Sequence, residues 1–68
     1  MTINKEMIKK NGGRIIGTMQ RMCRYSFEEL QRYTRLGSTD LCLALLLLVQ
    51  ESRIEQNRDG AGVYYVLN

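Results

Sequence analysis

Few residues in this 68-residue chain could act chemically on a substrate. Cys42 could attack as a thiolate, but only with a base beside it to take the proton. Histidine, the commonest such base and a frequent metal ligand, is absent. Glu28 and Glu29 are neighbours in sequence, which sends them to different faces of a helix, and capping explains them better than acid–base work. Gly60-Ala61-Gly62 has the small residues of a phosphate-cradling loop, yet the lysine and the following helix are missing. A hairpin turn accounts for it. The cysteines form neither a CxxC pair nor a disulfide-dense framework, so reduced thiols in a cytoplasm are expected. Cys42 is expected to be packed as a small hydrophobe. The chain therefore reads as a non-enzyme, with no catalytic, cofactor-binding or metal-ligating residues and no evident small-molecule substrate.

The elements that position these side chains can be read from capping signals and periodicity. Asn4 can cap a first helix running to about Met22, with Glu6 in its first turn and Ile8, Ile15, Met19 and Met22 at helical spacing. Asn11-Gly12-Gly13 interrupts it, but the flanks do not alternate as strands would. Gly13 and Gly17 lie one turn apart and would let another helix approach closely. Arg24-Tyr25 reads as a short extended link. Ser26-Phe27-Glu28-Glu29 fits a capping box, a serine at the cap and a glutamate three residues on. It opens a second helix to about Arg35, with Leu30, Tyr33 and Leu36 facing inward.

Gly37 is expected to stop that helix and Ser38 to cap the next, from Thr39 to about Glu51. Within it, Leu41 to Val49 are nine consecutive apolar residues. At about 100° per residue, Leu41, Leu45, Leu48 and Val49, with Ala44 at the edge, form the core side. Thr39, Asp40, Leu43, Leu46, Leu47 and Gln50 then face outward. Arg53 to Asn57 and Val63 to Leu67 read as a hairpin turned by Asp59-Gly60-Ala61-Gly62. Val63, Tyr65 and Leu67 should share one face with Ile54, and Tyr64 should point the other way. Helix, short strand, helix, turn, helix and hairpin is the order of a winged helix-turn-helix, an α+β fold spanning residues 1–68 as one domain.

The chain resembles the small stand-alone bacterial winged helix-turn-helix domains formerly classed as a domain of unknown function. The resemblance rests on Ile8, Gly13 and Ile15 in the first helix and on Ser26-Phe27-Glu28-Glu29-Leu30 opening the second. Asp40-Leu41, Ala44-Leu45 and Leu48 in the third helix, then Glu51, Ile54 and Asp59-Gly60, complete it. These are packing and capping positions, so the resemblance implies a fold and, by analogy, nucleic-acid binding. The sequence departs from the pattern at Leu46, where glycine is usual, and at Ser52.

Composition narrows the partners. With 44% hydrophobic and 25% charged residues the chain is ordinary for a globular protein. Its apolar run is far short of the roughly 20 residues of a membrane span, and Met1 to Glu6 lack the apolar core of a signal peptide. The net charge is +3, and seven of the ten basic residues are arginines, which suit phosphate. An outward face with three leucines is a poor reader of base edges, which are recognised by Arg, Lys, Asn and Gln. DNA contact is assigned instead to Lys9, Lys10, Arg14, Arg32, Arg35 and Arg58, the last near the tip of the wing. Leu43, Leu46 and Leu47 are assigned to a homodimer interface, because three outward leucines are a liability for a monomer. The competing expectation is an association module with no affinity for nucleic acid.

Overall fold

The structure, a computed structural model, describes residues 4–68. The signal-peptide reading rests partly on Met1, Thr2 and Ile3, which lie outside them. Three helices, α1 (Lys5–Thr18), α2 (Phe27–Thr34) and α3 (Ser38–Gln50), precede an antiparallel hairpin of β1 (Ile54–Asp59) and β2 (Gly62–Leu67). This is an α+β layout in the order expected. Tyr25 pairs with Tyr65 as an isolated bridge, its N–H and C=O both bonded to Tyr65 at 3.0 and 2.8 Å. The short extended link thus lies on one side of β2 and β1 on the other. On β1, Glu55, Gln56, Asn57 and Arg58 are all exposed, and this polarity discourages pairing with another strand.

Local signals explain most of the boundaries. Asn4 caps α1, its Oδ1 accepting from the Met7 N–H at 3.1 Å. The capping box of α2 is complete: Ser26 Oγ accepts from the Glu29 N–H at 3.1 Å, and Glu29 Oε1 accepts from the Ser26 N–H at 3.0 Å. Both glutamates of that turn lie at the positive end of the helix, where negative charge is favoured.

The core gathers Ile15 and Met19 of α1, Leu30 of α2 and Leu36 after it. Leu41, Ala44, Leu45 and Leu48 of α3 join them, with Ile54 and Tyr65 of the hairpin. Val49, Val63 and Leu67 pack against its margin. The register sets Ile54 opposite Leu67 and Arg58 opposite Val63.

Several local expectations are corrected. α1 ends at Thr18 rather than Met22, because Met19 turns extended (φ −78°, ψ 141°) to send the chain back toward β2. Met22 is consequently 98% exposed, in a turn where its φ is 66°. Tyr33 is also exposed, its ring meeting Tyr25 edge-on at 6.3 Å, and the inward position belongs to Thr34. Thr34 escapes the cost of a buried hydroxyl by donating to the Leu30 carbonyl at 2.6 Å and accepting from the Leu36 N–H at 3.4 Å.

The stop of α2 is Arg35 in the left-handed region (φ 60°), not Gly37. Gly37 is the N-cap of α3 without a side-chain bond, and Ser38 is already helical, its Oγ accepting from Gln31 Nε2 at 2.9 Å. Close approach of α1 to α3 occurs at Gly12, where an added Cβ would lie 3.4 Å from Leu48 Cδ2. Gly13 and Gly17 face open space. Finally, Cys42 is exposed, as is Cys23, and both are free thiols. Cys42 sits beside the buried row of α3 rather than in it, a phase difference that the uniform run concealed.

Candidate functional site

The outer side of α3 departs from the usual amphipathic pattern. Its exposed positions are Ser38, Thr39, Asp40, Cys42, Leu46 and Gln50, with Leu43, Leu47 and Val49 half-buried. Leu46 stands out at 56% exposure. Leu43 and Leu47 are partly sheltered because α1 lies alongside α3, and the two helices leave a groove of about 470 Å³ between them. Ile8, Leu43, Leu46 and Leu47 supply its apolar lining, and Lys5, Lys9 and Gln50 its polar one. Lysine stems extend such an apolar floor while their ammonium groups stay in water. The chain therefore shelters two of its three outward leucines in part and leaves the third open.

The six basic residues assigned to DNA are all exposed, on three elements. Lys9, Lys10 and Arg14 lie on α1 and Lys9 borders the leucine groove. Arg32 is in the last turn of α2 and Arg35 is its cap. Arg58 lies next to the final residue of β1 and opposite Val63. Among the described residues none of the six forms an ion pair. Each cation is thus free of an internal carboxylate that a phosphate would have to displace.

Arg24, in the extended link before α2, is the best-anchored cation among the described residues. Its Nη1 donates to Asp59 Oδ2 at 2.8 Å, and its guanidinium carbon lies 4.7 Å from the centroid of the Tyr64 ring. The other oxygen of Asp59 accepts from the Ala61 N–H at 2.8 Å in the hairpin turn. The partners are 35 residues apart in sequence and are brought together where Tyr25 pairs with Tyr65. The one sequence signal was the assignment of Tyr64 to the face opposite Tyr65.

Among the described residues no three His, Cys, Asp or Glu side chains are grouped to hold a metal ion, and no helix is long and apolar enough to cross a membrane. Burial pushes the Tyr65 phenol above its ordinary value, with the charge of a Cys42 thiolate adding to the effect. That perturbation belongs to a residue of the hydrophobic core. No protein-family model matches the chain, and no curated protein matches it.

Proposed function

We propose that the chain is a winged helix-turn-helix protein, with α2 and α3 as the helix-turn-helix pair and β1–β2 as the wing. It acts as a non-catalytic, cytoplasmic DNA-binding regulator that pairs with a second copy of itself through Leu43, Leu46 and Leu47. The observation that carries this reading is the apolar outer row of α3. A reading helix needs hydrogen-bonding side chains there, whereas Leu46 offers only surface that gains by leaving water. Pairing through that row takes α3 out of the groove-reading role. DNA contact then falls to phosphate-binding cations on α1, α2 and the wing, whose lack of internal ion pairs suits that task.

Two measurements on the full chain test the reading. Sedimentation equilibrium should give about twice the 7.9 kDa chain mass. Binding to mixed-sequence duplexes should weaken linearly in log–log form as salt rises, by about 0.9 per phosphate contacted. A single-chain mass would remove the pairing. A pair with no duplex affinity at low salt would leave an association module alone.

A further inference from the structure

We infer that Arg24 is a nucleic-acid backbone contact, held ready for a phosphate by Asp59 and Tyr64; this inference rests on the DNA-binding reading above. An arginine fork has five N–H donors in one plane. In this protein the ion pair with Asp59 engages Nη1, and the Tyr64 ring supports the guanidinium from one side. Nε and Nη2 remain available for an acceptor, and the side chain is 63% exposed. A free arginine must surrender considerable rotamer freedom to bind. Arg24 has already given up much of it in folding.

The place suits such a contact. The recess around Arg24 is bordered by Ser26 at the start of α2 and by Asp59, Ala61 and Gly62 of the wing turn, with Tyr64 beneath. Arg58, the cation assigned to the wing, precedes Asp59 in sequence, so Arg24 lies on the part of the surface that the reading leaves to DNA once α3 is paired. Two carboxylates border the same recess, and each is already engaged. Glu29 accepts from the Ser26 N–H, and Asp59 accepts from both Arg24 and Ala61. Asp59 fixes the fork, and both carboxylates keep their charge, so the contact depends on the directed donors Nε and Nη2 rather than on an excess of positive charge.

The test separates contact from mere wing support by salt dependence. Arg24→Ala should weaken duplex binding equally across unrelated sequences and make the log–log salt slope shallower by about 0.9, the signature of one lost phosphate. Arg24→Lys should keep the slope and lose part of the affinity, since the charge remains but the fork does not. Asp59→Asn should leave the slope as in the parent, because Arg24 stays and the amide Oδ1 of the new asparagine can still accept from the Ala61 N–H. Equal weakening in Arg24→Ala and Asp59→Asn with both slopes unchanged would show that the pair only supports the wing. A parent chain without duplex affinity would overturn this inference together with the DNA reading. Parent affinity with an unaltered Arg24→Ala variant would overturn this inference alone.

Discussion

Replacing Leu46 by aspartate should separate the proposed pair into single chains while leaving the fold in place. Full burial of a leucine is worth about 1.5–3 kcal/mol relative to full exposure. Leu46 is 56% exposed in the single chain, so covering the remainder would contribute about 0.8–1.7 kcal/mol per copy. Two-fold symmetry counts it twice, about 1.7–3.4 kcal/mol, which corresponds to a roughly 15- to 300-fold weaker Kd. An unpaired carboxylate would add a desolvation cost of several kcal/mol if it remained covered. The cost to the fold is the lower helix propensity of aspartate, about 0.7 kcal/mol at most, together with the loss of the part of Leu46 already sheltered in the groove, about 0.7–1.3 kcal/mol. Sedimentation equilibrium reads the association, and far-ultraviolet circular dichroism with a urea melt reads the fold. A variant that still sediments as a pair at the parental concentration would refute the reasoning. Leu47→Asp is the poorer choice, because Leu47 is half-buried and also borders the recess formed by Gly12 and Leu48.

Three further outcomes test the packing. Gly13→Ala should stabilise the chain by about 0.8–1.0 kcal/mol in urea melts, since α1 gains propensity and the new methyl meets nothing; Gly12→Ala should gain less, its methyl pressing on Leu48, and equal gains would contradict the crossing point. Thr34→Val should cost about 1–3 kcal/mol, because the buried Leu36 N–H loses its acceptor; an unchanged urea midpoint would show that water takes its place. The raised folded-state pKa of Tyr65 means that its contribution is fully present below pH 10.0, the ordinary value, and is lost as pH rises from there through the folded value. Urea melts at pH 9 and 11 should therefore show a smaller alkaline loss in Tyr65→Phe than in the parent, and an equal loss would place the sensitive group elsewhere.

Local chemistry made most of the fold legible from sequence. Ser26 and Glu29 announced α2, and Asn4 announced α1, because caps act through residues only three positions apart. Alternation of Val63, Tyr65 and Leu67 fixed the inner face of the hairpin. Long-range geometry was not legible in the same way. Nothing near Met22 shows that the chain must turn back after Thr18 so that Tyr25 can reach Tyr65. The uniform run from Leu41 to Val49 located the buried row of α3 but hid the exposure of Cys42. It also hid the fact that α1 half-covers Leu43 and Leu47. The anchoring of Arg24 is hidden in the sequence for the same reason, since its partners Asp59 and Tyr64 become neighbours only after the hairpin docks.

Met22, Arg35 and Ser52 have φ values of 66°, 60° and 59°, and each lies between two elements of the chain. Side-chain-bearing residues adopt this twist at a cost of about 1–3 kcal/mol apiece. These three sites are exposed, so by solvent contact alone any polar residue would do. The backbone is more selective. It admits glycine or asparagine readily and resists valine or isoleucine. Over generations of sequence drift, the narrowest tolerance on the surface of this molecule should lie at its corners.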